Sequence, residues 1–390
     1  MHANSSHYVS RLITILLGLL AIVFVITVIL HPSEAFTASM NGLQYWWGTL
    51  FPALLPYFIL CEIALAQRAP GKLSGLLARA VQSWLRIPAR LTSSLLSNLL
   101  TGQPYVIERA CLLHKQGRIT LVQAERVLML TGGAHPILLL TVIGIVLLHH
   151  AALGLLLAGV YYTSWLIIAC LARYYHRSST VDPDNLLTIG PAACVDDIPQ
   201  RSFGSMLGDS VADSLQRLMQ LGGLIMILAV LIRMAQEWGL PLDPAINAAL
   251  AGLLEIHLGA QYIALMQPDS IMSQLIALSA MLAWGGLLQH AHIHSLLRGS
   301  QLRYTRYLIA RVVQAVLAIA LVMVFGQPFL RRIVDSSAGS PPNSQAQSSP
   351  AYMTMELWPF AMRYPQIFLL IALIISLLLM RIYSRRQLNR

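Results

Sequence analysis

The sequence predicts an all-α polytopic membrane protein, with about eight transmembrane helices and two re-entrant helical hairpins arranged as an inverted repeat. Three observations carry this expectation. Of the 390 residues, 56% are hydrophobic and only 11% are charged, against roughly 25% charged in soluble domains. Several apolar runs reach the ~18 residues that a bilayer-crossing helix needs. Arginines also fall on one side of the resulting span order, as cytoplasmic loops require. A soluble enzyme, a disordered chain and a disulfide scaffold are excluded on composition, and mean hydropathy is +0.65.

The spans are taken in chain order. Residues 12–30 form an apolar run behind Arg11, longer than the roughly 7–15 residues of a signal-peptide core, so a retained first helix is expected. Further spans read as 50–66, 132–148, 151–172, 218–236, 271–290, 307–325 and 366–380. Two apolar stretches differ. Residues 91–113 are interrupted by Thr101-Gly102-Gln103-Pro104, and residues 245–266 by Gly252 and Gly259 with Glu255 and His257 between them. Irregular backbone at membrane depth is tolerated only inside protein or around a water-filled cavity. Both stretches therefore read as re-entrant hairpins or broken helices.

The net charge of +10 comes from 24 arginines and two lysines, Lys72 and Lys115, set against 16 acids. With the N-terminus cytoplasmic, 21 of the 26 basic residues fall in cytoplasmic segments and three outside, at Arg331, Arg332 and Arg363. Arg233 and Arg311 lie within or at the edge of spans. The charge thus reports topology rather than nucleic-acid binding. Both termini are expected in the cytoplasm of a multi-pass cell-membrane protein. Cys61, Cys111, Cys170 and Cys194 show no metal or redox spacing and read as reduced. Residues 335–350, rich in Ser, Pro, Gln and Gly, read as an external linker.

The two halves share a pattern. Phe36, Met40, Leu43 and Trp47 form an amphipathic stripe before a span ending Leu65-Ala66-Gln67, with Pro70-Gly71 soon after. Phe203, Leu207, Val211 and Leu215 do the same before a span ending Met234-Ala235-Gln236, with Gly239 and Pro241 beyond. A hairpin and a Gly-Gly span follow in each half. Three spans separate equivalent points, so the halves are inverted. Inverted repeats with paired broken helices are the mark of secondary transporters, whose substrate sits between them. The expected division is 1–34 as an N-terminal helix, 35–172 and 203–326 as the repeats, and 173–202 as a cytoplasmic loop. An external linker over 327–364 and a last helix with a basic tail over 365–390 complete it.

These residues resemble those of the YlbJ-type sporulation integral membrane proteins, a family with the nucleoside-recognition Gate domain. That domain is distantly similar to concentrative nucleoside transporters and the ferrous-iron permease FeoB. The resemblance spans roughly residues 10–326. It is carried by Trp46-Trp47 through Phe51-Pro52-Ala53-Leu54-Leu55-Pro56-Tyr57-Phe58, by Glu62, and by Gly102 with Pro104. Gly117-Arg118-Ile119-Thr120 with Glu125 and Arg126 adds to it, as do Gly252-Leu253-Leu254-Glu255, Gly285-Gly286 with His290, and Arg303-Tyr304 with Tyr307 and Arg311. The resemblance implies a membrane protein of spore formation that moves a small anion such as dipicolinate. Val106-Ile107-Glu108 and Ala134-His135-Pro136 depart from the family pattern where ligand would bind.

The candidate substrate-binding residues are Asn98, Thr101, Gly102, Gln103, Pro104, His135, Glu255, His257, Gly259, Gly285, Gly286 and His290. A half-helix N-terminus after Gly102 offers free N–H groups to an anion; the other reading is a packed proline kink. A carboxylate at membrane depth costs roughly 2.5–3.5 kcal/mol, which makes Glu255 a coupling or binding candidate beside a structural role. Glu62 carries the same two readings, structural or coupling. His290 and His294 share a helix face at metal-ligand spacing, but no adjacent carboxylate or cysteine completes a set, so no metal is expected. No catalytic motif and no cofactor motif occurs, so enzyme activity is not expected. The expected partners are the lipid bilayer and a small anion, with a homo-oligomer open and nucleic acid not expected. Three functions follow in order: a secondary transporter or subunit of one, a nucleoside or divalent-metal permease, and a non-transporting scaffold or gating subunit.

Overall fold

A computed structural model describes residues 18–66, 84–88, 91–174, 203–238, 243–266 and 270–338, with Ile15 and Gln82 besides. The start of the expected first helix, the loop with Cys194, the Pro70-Gly71 and Gly239–Pro241 punctuation, most of the expected linker and the last helix lie outside these residues. Every described regular element is helical. Among the described residues, five stretches are long and apolar enough to cross a membrane: Pro32–Ala64, Ala151–Tyr174, Gly204–Glu237, Ile271–Leu296 and Tyr304–Ile333.

Helix α1, Gly18–Leu30, is short and lies mostly exposed. Pro32, at the first helical position, opens α2 (Pro32–Tyr45), a position where its missing N–H costs nothing. A π-helical turn, Trp46–Leu50, joins α2 to α3, Phe51–Ala66. The expected amphipathic stripe is therefore the first part of a long helix rather than a separate element. The second half repeats this, because Phe203 begins the 35-residue α9, Phe203–Glu237. No glycine or proline stops either run, so the chain stays helical from loop to far end. The two long helices cross closely. A Cβ at Gly42 would meet Met226 and Ala229 at 3.2–3.3 Å, and the Trp46 ring covers Gly222.

The two expected hairpin stretches are each two helices around a break. Helices α4 (Thr92–Thr101) and α5 (Tyr105–Lys115) flank Gly102-Gln103-Pro104. Helices α10 (Pro244–Leu254) and α11 (Ile256–Leu265) flank Glu255, whose φ of −151° is extended. In this second hairpin Gly252 and Gly259 touch, so a side chain on either would force the helices apart.

Two further breaks follow, one at 131–135, where the span read as 132–148 opens, and one inside the span read as 271–290. Helix α6, Leu121–Leu130, gives way at 131–135 to the π-helical α7, Leu138–Leu147. Helix α12, Ile271–Trp284, ends at Gly285, and α13, Leu287–Leu296, begins after Gly286. Gly285 and Gly286 have φ of 91° and 82°, which only glycine adopts without strain. Each half thus carries two breaks at one spacing: thirty residues from Gly102 to Gly132 (132 − 102), and thirty from Glu255 to Gly285 (285 − 255).

Each half closes on a long helix, α8 (Ala151–Tyr174) or α14 (Tyr304–Ala338). Helix α14 runs on through residues 327–338, where the external linker was expected to begin, because Pro328 is accommodated inside it. One apolar core joins α2, α3 and α7–α12 with α14, and a second gathers α4–α6 with parts of α8, α13 and α14. Cys61, Cys111 and Cys170 are buried and free.

Candidate functional site

A helix that stops inside an apolar environment leaves its last carbonyls without partners, and membrane offers no water to satisfy them. Side chains from other elements do so here. The Tyr57 hydroxyl donates to the Leu100 carbonyl at 2.9 Å and the Tyr162 hydroxyl to Leu99 at 3.4 Å, at the end of α4. At the end of α6, Trp165 Nε1 donates to Leu130 at 2.7 Å and Arg311 Nη2 to Met129 at 2.9 Å. Trp284 Nε1 reaches the Leu253 carbonyl of α10 at 3.4 Å. A ring nitrogen of His290 lies 3.1 Å from the Trp284 carbonyl, where α12 stops.

The four breaks meet at one place. A Cβ on Gly102, whose φ is 73°, would run into the Gly133 carbonyl. Asn98, buried, ties the same two breaks. Its Nδ2 donates to the carbonyls of Gln103 at 2.8 Å and Gly132 at 3.0 Å, and its Oδ1 accepts from the Gly132 N–H at 3.2 Å. The Gln289 amide spans the next gap, accepting from the Gly133 N–H and donating to the Gly285 carbonyl, both at 3.0 Å. Gly286 packs on the Leu254 carbonyl at 2.9 Å from its Cβ position, with Glu255 Cα at 3.2 Å. His135 closes the ring, its imidazole 6.1 Å from that of His257.

Glu255 sits at the tip of the second hairpin, 6% exposed. Its Oε2 accepts from the Leu258 N–H at 2.8 Å and caps α11, satisfying a free N–H and placing negative charge at the positive end of the helix dipole. Its Oε1 lies 2.6 Å from His257 Nδ1. The Tyr45 hydroxyl donates to the His257 carbonyl at 3.0 Å. His257 Nε2 has no hydrogen-bond partner. His135 is buried against Phe58 (5.3 Å) and Tyr57 (6.2 Å), and its Nδ1 accepts from the Leu138 N–H at 3.3 Å.

A cavity of about 940 Å³ opens between α2, α9 and α11, beside the second hairpin. Thr37, Asn41, Gln44, Arg233 and Gln261 are among its walls, and Tyr45 and Leu258 bring it to the second hairpin. Near the middle of α9, Arg217 pairs with Glu62 of α3. The same guanidinium lies over the Tyr105 ring at 5.0 Å, next to the first break. Arg233 pairs with Glu237 at 2.7 Å at the cavity's rim.

Most of the sequence-derived candidates fall on the ring: Asn98, Gly102, Gln103, His135, Glu255, His257, Gly285 and Gly286. Thr101 spends its hydroxyl within its own helix, on the Ser97 carbonyl at 2.9 Å. Pro104 is the first residue before α5, and Gly259 closes the second hairpin below its tip. His290 turns to a separate aromatic cluster, stacked on Trp284 at 4.1 Å with Nδ1 on the Tyr304 hydroxyl at 2.8 Å. With both ring nitrogens engaged, it does not face the ring of breaks. No three His, Cys, Asp or Glu side chains gather in metal-binding geometry among the described residues.

Sequence reasoning missed Gln289, Arg311, Tyr161, Tyr45 and Trp165. Arg311 is 1% exposed, and its Nη1 lies 3.3 Å from a Cβ built on Gly132, beside the Tyr161 hydroxyl. The available signal was an arginine inside an apolar span.

No family model and no solved structure matches the chain. It is 28% identical over 347 residues to the sporulation integral membrane protein YlbJ of Bacillus subtilis (strain 168), covering 82% of this chain and 84% of that protein. That similarity runs through both halves and all four breaks, and it makes the chain similar to the YlbJ-type sporulation integral membrane proteins.

Proposed function

We propose that the protein is a secondary transporter, or the membrane subunit of one, that moves a small anionic metabolite across a bacterial membrane during spore formation. The observation that supports it is the meeting of four helix breaks, two from each half, around buried Asn98, His135 and Glu255 and their neighbour His257. Broken helices at the contact between repeats are where transporters hold substrate, because unwound backbone there can bond a ligand instead of itself. The cavity beside the second hairpin and the Glu62–Arg217 pair near the first break lie on either side of this centre along α9, and serve in this reading as its approach and its closure.

Dipicolinate is the cargo that the family resemblance implies. Arginine placement supports a multi-pass arrangement in the cell membrane with both termini cytoplasmic. The test is flux of labelled dipicolinate in proteoliposomes holding the purified chain. Wild type is expected to carry it, and Gly102→Leu and Glu255→Ala to reduce it at least about tenfold, a change equivalent to about 1.4 kcal/mol. No flux with wild type, or undiminished flux with both variants, overturns the proposal.

A further inference from the structure

The Gln289 amide occupies a slot that two glycines make. A Cβ on Gly133 would fall on that amide, and one on Gly285 would come within 2.7 Å of it. The slot presents one donor, the Gly133 N–H, and one acceptor, the Gly285 carbonyl, each 3.0 Å from the amide. These are the backbone groups freed where α6 and α12 stop, one from each half. Gln289 itself is only partly buried.

From this we infer that the slot between Gly133 and Gly285 is a binding site for a planar group with adjacent donor and acceptor, and that Gln289 is its built-in occupant. The inference rests on the transport reading only in setting the slot within the substrate path. A primary carboxamide matches the slot, and so does a carboxylic acid in its protonated form. An ionised carboxylate does not, because its second oxygen would face the Gly285 carbonyl. A dicarboxylate would therefore enter with one carboxyl protonated. Displacing Gln289 is cheap. It is held by two neutral hydrogen bonds of modest net worth, and its flexible side chain regains rotamer freedom on release.

The probe is acetamide, and the readout is the thermal unfolding midpoint of the full chain in detergent. Gln289→Ala should lower the midpoint by about 1–4 °C, as the loss of two hydrogen bonds predicts for a chain of this length. Acetamide at high concentration should restore roughly half of that loss by filling the vacated slot. Sodium acetate at pH 8 should not, and wild type should gain a smaller rise from acetamide than Gln289→Ala, because Gln289 must first leave the slot, and none from acetate. Gln289→Met fills the same volume without donor or acceptor, and acetamide should leave it unchanged. Should Gln289→Ala not fold, Gln289→Ser is read the same way. Absence of rescue, equal rescue by acetate, or equal stabilisation of wild type or Gln289→Met overturns the inference. The readout involves no flux, so failure of dipicolinate transport would leave the slot standing, and failure of rescue would leave the transport proposal standing.

Discussion

Glu255 does two jobs at the tip of the second hairpin, capping α11 through one oxygen and meeting His257 through the other. The two jobs separate on substitution. Glu255→Gln keeps an acceptor for the Leu258 N–H and loses the charge. Glu255→Ala loses both, leaving a buried N–H unsatisfied at about 1–3 kcal/mol. Thermal unfolding in detergent should place Glu255→Gln close to wild type and Glu255→Ala well below it. Equal stabilities would mean the cap contributes nothing. Gly102 shows a different dependence. Any side chain there meets both a φ of 73° and the Gly133 carbonyl. The conformation alone costs roughly 1–2 kcal/mol, and the clash adds to it. Gly102→Ala should therefore be less stable than Gly117→Ala, where φ is 69° but nothing lies within 4 Å. Matching losses at the two sites would show that the contact with Gly133 is slack.

Among the elements, α14 governs how the first half's second break is held. Arg311 reaches from α14 to the Met129 carbonyl at the end of α6, with the Tyr307 ring at 5.6 Å from its guanidinium. Its charge is set against the negative end of the α6 dipole, which offsets part of the cost of burial. Arg311→Ala removes that tie, and hydrogen–deuterium exchange at amides 129–133 should speed up while α4 is unchanged. Exchange that rises evenly through the molecule would point to global destabilisation instead. The contact between α2 and α9 depends on Gly222, which lies under the Trp46 ring, while Trp46 Nε1 donates to the Leu218 carbonyl at 2.8 Å. Gly222→Leu overpacks this crossing and should cost about 1–3 kcal/mol, read as a lower unfolding midpoint. The same substitution at Gly223, which has open space, should be nearly silent.

Across the whole molecule, the cavity rim lies near the C-terminal end of α9 and the Glu62–Arg217 pair near its middle. Arg217 and Arg233 are sixteen residues apart (233 − 217), about 24 Å along a helix rising 1.5 Å per residue. Under the proposed alternating access, the Glu62–Arg217 pair closes the path on the side away from the cavity. Arg217→Ala, in a chain with its native cysteines replaced by Ala and Gln103→Cys added, should raise the rate of maleimide modification at residue 103 several-fold. An unchanged rate would mean that the pair packs the interior without closing it. At this scale the sequence was partly legible. The breaks at Gly102 and Glu255 could be read because proline, glycine or charge interrupts an apolar run. That at Gly285-Gly286 could not, because a Gly-Gly pair in an apolar run also fits an unbroken span, and Gly132-Gly133 read as the start of a span without the helix that stops before it. The left-handed φ of Gly285 and Gly286 is visible only in three dimensions.

Local chemistry settled the class of the protein from the sequence alone. Low charge, long apolar runs and one-sided arginines require helices in a bilayer, and breakers within two apolar runs require helices that stop short. These properties depend on residues close together in the chain. The tertiary structure decided what the stopped helices do. Gly133 meets Gln289, Glu255 lies beside Gly286, and Arg311 caps α6, although these partners stand between 31 and 182 positions apart. No periodicity pairs residues at such distances. The pairing follows from the need of every freed backbone group for a partner where water is absent, and only the packing of the whole chain determines which side chain supplies it.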